Sequence, residues 1–467
     1  MKNNNLNIID DIVYTIKNKI YNIHEPDKLL NFINENLSPK EKEKNERGEV
    51  FTPIALVNEM LDKLPIEVWN NPNFKWLDPS SGMGNFPIAV YMRLIKSLKN
   101  HEMFKGKTEE DIRKHILENM LFMVEINRKN VYLIKRILCN KNYKLNIFEG
   151  SFLDYKTDNK FDIIMGNPPY QDTNKEGKRK ALNHNLWSIF IELSFNELLK
   201  DNGFLVFITP ISWMTPTYEN KDIFYKNYIL YLNINECEKW FNVGSTFSYY
   251  IIQKTNKQKE TEVICLYNNK IYKSSLLINK IKFLPILLTK ESISIIKKFF
   301  NNKLLKISFN NNYELHSSTK KHLINKCDKT KFIYKIKHTV KNKDLCSSVK
   351  HSLANKNKIL LNISGYLDPI YDNGIYGFTE AQMYYLTNNK NYIKILNSNL
   401  YKFIFKLCKW SGFNTKFIYK NIPYINHFIS NENLNMLFKL NKKEINLINE
   451  IIGSNDKYKS PIKVKSL

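Results

Sequence analysis

The chain has 467 residues, with 71 Lys or Arg against 45 Asp or Glu and a formal net charge of +26. With 43% hydrophobic and 13% aromatic residues it can bury more than one core, which excludes wholesale disorder and fits two domains or more. Residues Met1 to Ile9 are polar and no apolar run reaches about 18 residues, so neither a signal peptide nor a membrane span is expected, and the chain reads as intracellular.

Residues 1–46 read as an N-terminal helical extension. Ile8, Ile12, Ile16 and Ile20 make an apolar stripe at helical spacing, and Ser38 to Arg47 is a charged linker. No chemistry is assigned to this part. The six cysteines (Cys139, Cys237, Cys265, Cys327, Cys346 and Cys408) are scattered without CxxC spacing, so reduced thiols and no zinc site are expected.

Residues 47–255 carry the motifs. In Arg47-Gly48-Glu49-Val50-Phe51-Thr52-Pro53, Thr52 suits an N-cap and Pro53 a first helical position, with the helix continuing through Leu56, Val57, Met60 and Leu61. A short strand, Phe74 to Leu77, then runs into Asp78-Pro79-Ser80-Ser81-Gly82-Met83-Gly84-Asn85-Phe86, and a helix is expected from about Pro87 to Leu98. Strand, glycine turn and helix make the first unit of a doubly wound nucleotide site. The third glycine of the dinucleotide fingerprint is missing, so a pyrophosphate cradle fits poorly, whereas Asp78 suits a cationic amino group.

Lys99 to Met120 reads as an inserted helical segment. Glu125 then closes a second strand, where a carboxylate can take both ribose hydroxyls. Asp154, after a third strand Leu145 to Phe148, can accept from an adenine amine. Each acid alone reads better as a solvated surface carboxylate, but the three follow strands in series.

Phe161 to Ile164 is a fourth strand, and Asn167-Pro168-Pro169-Tyr170 follows it. Two prolines forbid helix there and remove two backbone donors. The Asn167 side-chain carbonyl and the Pro168 backbone carbonyl can accept the two hydrogens of a planar amine. An amine held this way loses conjugation with its ring and exposes a lone pair, while Tyr170 offers a face for stacking. The plainer alternative is a proline-rich turn.

Gln171 to Asn185 is a basic loop holding Lys178, Arg179 and Lys180, which could clamp phosphates or simply move. A helix is expected from Leu186 to Leu199 with Gly203 as its C-cap, then a strand Phe204 to Thr209 and a helix Tyr218 to Tyr228. Trp240 to Ile252 reads as a loop followed by a strand.

Residues 256–455 lose the regular alternation. Between Lys254 and Lys358 lie 24 lysines and only 6 acidic residues, a field that favours a polyanion. Codon bias in an Asn- and Lys-rich chain accounts for the lysines but not for the sparse acids. Lys335 and Lys337 alternate with aromatic and aliphatic residues in Phe332-Ile333-Tyr334-Lys335-Ile336, as along a nucleic-acid strand. A helix capped by Thr379, another over Asn391 to Lys406, and a last one from Ile445 to Ile452 capped by Asn441 are expected. Residues 456–467 read as a disordered tail.

The ordered set resembles the class I S-adenosylmethionine-dependent amino-methyltransferases of DNA, in the γ arrangement of TaqI-like modification enzymes. The resemblance covers about residues 45 to 255. It implies a doubly wound, Rossmann-like α/β domain followed by a mixed α+β target-recognition domain that binds DNA. Val50-Phe51-Thr52-Pro53 matches a motif that binds the methionine part of the cofactor. Asp78, Ser80, Gly82, Gly84 and Asn85 match the glycine loop, Glu125 the ribose acid and Asp154 the adenine acid. Asn167 to Tyr170 matches the NPPY motif of mainly N6-adenine enzymes. Such enzymes supply a second base-stacking aromatic from the loop before a late strand. Phe241 is preferred for that role by spacing, over Phe247, which suits the core. No metal is called for. A monomer is expected, with a separate restriction endonuclease as a conceivable partner. The alternatives are an RNA base methyltransferase, a protein glutamine methyltransferase with the same motif, or a noncatalytic binder.

Overall fold

Apolar runs rich in Ile, Phe, Tyr and Val pair into a nine-stranded sheet at the centre of the computed structural model. Residues 52–453 are described, apart from 139–142, 171–184, 241–245, 279–282, 319–321, 325–326, 329, 340–344, 365–367, 412–415 and 428. The strands are β1 (Trp76–Asp78), β2 (Leu121–Glu125), β3 (Asn146–Glu149), β4 (Phe161–Gly166), β5 (Leu199–Pro210), β6 (Tyr228–Ile234), β7 (Phe247–Gln253), β8 (Thr261–Tyr267) and β9 (Lys270–Leu276). Their order is β3-β2-β1-β4-β5-β7-β6-β8-β9. The first five are mutually parallel, and β7 lies reversed between β5 and β6. Strands buried on both faces need continuous apolar runs, and β4 and β7 are such runs.

Helices α1 (Ile54–Leu61), α2 (Asn85–Leu98) and α3 (Arg128–Leu138) cover one face, with Leu94 and Ile134 among its core residues. Helix α4 (Leu186–Glu192) covers the other with Trp187 and Phe190. The chain builds outward from β1 through β2 and β3, then returns to place β4 on β1's other side. That reversal puts a crevice at the carboxyl ends of β1 and β4.

Several local expectations change. Gly203 is no helix cap. The chain turns at Asn202, at φ +63°, inside a long β5, and the β4–β5 register shifts there. A Cβ on Gly203 would stand 2.8 Å from the Asp162 carbonyl, so the bulge needs glycine. The helix before it is α-helical only to Glu192 and closes as a π-turn, Leu193–Leu198. The helix expected over Tyr218 to Tyr228 is short, Lys221–Lys226, because the β-prone run from Tyr228 enters the sheet. Thr379 starts no helix. Its hydroxyl meets His338 Nδ1 at 2.7 Å, and Gln382–Leu386 pairs with Asn357–Asn362 as a strand. The helix expected over Asn391 to Lys406 divides at Asn397 and Ser398 into Tyr392–Leu396 and Asn399–Leu407. Asn441 does cap the last helix, Lys442–Gly453, in a reciprocal box with Glu444.

The C-terminal region holds two small four-stranded sheets and a helical layer. One sheet contains Tyr334–Lys337 and Leu345–Ser347. Cys346 on the latter strand is disulfide-bonded to Cys327, against the expectation of thiols throughout; Cys237, Cys265 and Cys408 are buried thiols. The two parts of the chain are tied together: Thr246 Oγ1 donates to the Trp410 carbonyl, and the Leu284 N–H to that of Met214. Among the described residues no helix is long and apolar enough to cross a membrane.

Candidate active site

The crevice is built from strand ends. Asp78 closes β1, Glu125 closes β2, and Gly166 closes β4 just before Asn167. Two glycines allow the approach of these groups. Gly84, at φ +94°, turns the chain into α2 where a Cβ would press on Ile134 and Ile88. Gly166 brings β4 so near β1 that a Cβ there would stand 2.9 Å from Asp78 Oδ1.

Asp78 is 1% exposed and accepts from the Ser80 N–H at 3.0 Å. Burial lifts its carboxyl to about 8, the Ser80 amide opposes that, and the nearby Glu125 charge adds to it. Such a carboxyl suits a cation that would offset its lost hydration. Glu125 accepts the Gly82 N–H on one oxygen and the Asn127 N–H on the other, each at 2.7 Å. Asn130 Nδ2 also approaches Oε1, at 3.5 Å, so three donors orient the carboxylate. Asp154 is exposed on a 3-10 turn after β3, beyond Glu125.

Two exposed aliphatics that adjoin these acids in the chain were not singled out from the sequence. Ile126 is 66% exposed and Leu153 41% exposed, beside Glu125 and Asp154 respectively. Large aliphatics next to acids in the chain are the signal that could have drawn attention to them.

Asn167 is held at both ends of its amide. Its Nδ2 donates to Thr52 Oγ1 at 3.0 Å, and its Oδ1 accepts from the Tyr170 hydroxyl at 2.9 Å. Ser80 Oγ donates to the Asn167 backbone carbonyl at 3.2 Å, pinning the turn to the glycine loop. Thr52 is therefore not the N-cap expected: Pro53 precedes the first helical residue, and no side chain caps α1. The Thr52 carbonyl accepts from Asn85 Nδ2 at 2.6 Å. Tyr170 packs its ring 5.2 Å from Phe247, tilted by 32°. Burial, first of all, keeps its hydroxyl protonated far above neutral pH.

The structure thus joins Thr52, Asp78, Ser80, Gly82, Asn85, Glu125, Asn167 and Tyr170 through one set of contacts. Lys335 and Lys337 lie apart, on the C-terminal strand Tyr334–Lys337, with the Lys337 ammonium 4.5 Å from the Tyr376 ring. Phe241, Lys178, Arg179 and Lys180 fall outside the described residues, while Phe247 is buried in the core as expected. Among the described residues no cluster could hold a metal ion.

Sheet order and the reversed seventh strand fit the doubly wound class I methyltransferase fold expected from the sequence. Over residues 76–241 the chain matches the family model of the Eco57I restriction-modification methylases. An uncharacterized adenine-specific methylase of Mycoplasma pneumoniae is 34% identical over 142 residues, which are 28% of this chain and 32% of that protein. Modification methylase CviBIII of Paramecium bursaria Chlorella virus NC1A is 30% identical over 182 residues, 37% of this chain and 39% of that one. The match thus spans about a third of the length of these relatives. The Type IIL restriction-modification enzyme MmeI, solved in complex with DNA, superposes with a TM-score of 0.50, covering 83% of this chain and 68% of that one. At 12% identity that likeness bears on the fold alone.

Proposed function

We propose that this protein transfers a methyl group from S-adenosylmethionine to the exocyclic N6 of adenine in DNA, as the modification activity of a restriction-modification system. The observation that carries the reading is the Asn167-Pro168 turn set beside Asp78 and Glu125 at the switch point of the sheet. The names of the relatives, an adenine-specific methylase and a modification methylase, point the same way.

The residues present fit the cofactor. Asp78 suits its ammonium, Glu125 its ribose hydroxyls and Asp154 its adenine amine, with Ile126 and Leu153 bordering the ring. Asn85 Oδ1 is a buried acceptor with no partner among the described residues, at the edge where the methionine part would lie. When bound, S-adenosylmethionine supplies an electrophilic methyl group on sulfonium.

The chain's own part is positioning. A target adenine must leave the stack, at a cost of a few kcal/mol. Tyr170 supplies the ring face that receives it, and Asn167 Oδ1 and the Pro168 carbonyl accept its two amine hydrogens. The nitrogen lone pair then points out of the ring plane toward the methyl site, and the rate comes from holding that line. The lysine-rich C-terminal region supplies attraction for the phosphates, with Lys335 and Lys337 on its strand and Lys178, Arg179 and Lys180 in the loop after the motif.

Asn167→Ala tests this directly. Cofactor and DNA binding should persist while methyl transfer falls by at least about 10²-fold, the usual worth of a group acting on the reacting atoms. A variant that kept most of its activity would make the turn structural and overturn the assignment.

A further inference from the structure

The amide of Asn167 has two unlike ends, and only one is useful to an incoming amine. Oδ1 accepts, whereas Nδ2 would set donor against donor. A side-chain amide can present either end by turning half a revolution about its last bond, so something must fix which end faces the pocket. In this structure Nδ2 is turned to Thr52 Oγ1 at 3.0 Å, which leaves Oδ1 on the side of Tyr170.

Three observations single out Thr52. Its hydroxyl is not used on the helix it precedes, although Thr before Pro is well placed to cap one. Its own backbone is anchored, because its carbonyl accepts from Asn85 Nδ2, and Asn85 begins the helix after the glycine loop. It is 6% exposed, so water does not readily replace it. The contact reaches across 115 residues of sequence and joins the start of α1 to the end of β4.

We propose that Thr52 is a positioning residue that sets the orientation of the Asn167 amide, and that the Tyr170 hydroxyl is the stand-in for the substrate amine. This rests on the activity proposed above. In the free protein the Tyr170 hydroxyl donates to the acceptor that the adenine amine later needs. Arrival of the base exchanges one donor for another while Thr52 keeps the amide from turning. The ring of Tyr170 then serves for stacking, and its hydroxyl is released.

The test compares wild type, Thr52→Ser, Thr52→Val and Thr52→Ala, using titration calorimetry with S-adenosylmethionine and single-turnover methylation of DNA at saturating cofactor. Valine keeps the shape of threonine and removes the acceptor. We expect Thr52→Val and Thr52→Ala to methylate about 10–100-fold more slowly even at saturating cofactor, the scale on which small misplacements act. Thr52→Ser, which keeps the hydroxyl, should restore the rate to within a few-fold of wild type. A general loss of structure would lower cofactor binding and rate together and would not be rescued selectively by serine. If Thr52→Val weakened cofactor binding while its saturated rate stayed at the wild-type value, Thr52 would act on the cofactor and the inference would be wrong. Wild-type protein that bound cofactor but methylated no DNA would instead remove the activity on which the inference stands.

Discussion

A carboxyl buried as deeply as Asp78 resists ionisation, and its pKa near 8 makes that resistance measurable. Between its ordinary 3.8 and about 8, the folded protein holds a proton that the unfolded chain has released, so this group's contribution to stability is present at low pH and lost as pH rises through that window. Asp78→Asn removes the loss. Its melting temperature should exceed that of wild type by a margin that widens from about pH 5 to about pH 8, read by scanning calorimetry without cofactor. The same variant should lose cofactor affinity. A cation arriving beside Asp78 favours the carboxylate, so binding below about pH 8 should release a proton and tighten as pH rises toward that value. Calorimetric titration in buffers of different ionisation enthalpy counts that proton. A pH-independent affinity would place the cofactor's ammonium elsewhere. Tyr170 divides by atom: Tyr170→Phe keeps the stacking ring and should retain transfer, whereas Tyr170→Ala should lose about 1–3 kcal/mol of base stacking.

Elements place these residues, and the placement depends on single backbone positions. Gly166→Ala puts a methyl group 2.9 Å from Asp78 Oδ1, so β4 or β1 must shift at the crevice. That variant should fold and lose cofactor binding, because the change lies where the two strand ends meet. Asn441→Ala removes one side of the reciprocal cap on Lys442–Gly453 and should cost about 1 kcal/mol with no effect on cofactor binding. The capping box, the glycine loop and the Asn-Pro-Pro-Tyr turn were legible because their chemistry is local. Three acids after three strands were legible because a strand's end is where its chain meets the crevice. Pairing across long separations was not. Nothing near Thr52 says that its hydroxyl serves Asn167 rather than α1. Nothing near Asp201-Asn202-Gly203 says that a break signal will be absorbed as a bulge inside β5. Thr379 and Glu380 read as a helix start, yet Met383-Tyr384-Tyr385 is β-prone and finds a partner in Asn357–Asn362. The bond between Cys327 and Cys346 joins residues whose spacing follows no motif.

At the scale of the whole molecule, the proposed function has the crevice hold cofactor and the basic C-terminal region hold nucleic acid. A surface neutralising some 6–10 phosphates should lose about 10³–10⁵ in DNA affinity between 50 and 200 mM salt. Replacing Lys335 and Lys337 together by alanine should lower the slope of log K against log salt by roughly 0.9 per lost phosphate contact. Lys96 and Lys99, exposed at the far end of α2, serve as the control pair. Fluorescence anisotropy across a salt series separates the two pairs, and cofactor affinity should respond to neither. Equal behaviour would move the DNA surface away from the Tyr334–Lys337 strand. The most direct measurement of the central claim is methyl transfer itself. The protein is incubated with labelled S-adenosylmethionine and, in parallel, duplex DNA, RNA or protein, and the modified base is mapped. The expected result is label on DNA alone, as N6-methyladenine at a fixed sequence context. Label confined to RNA or protein, or on a cytosine of the DNA, would contradict it.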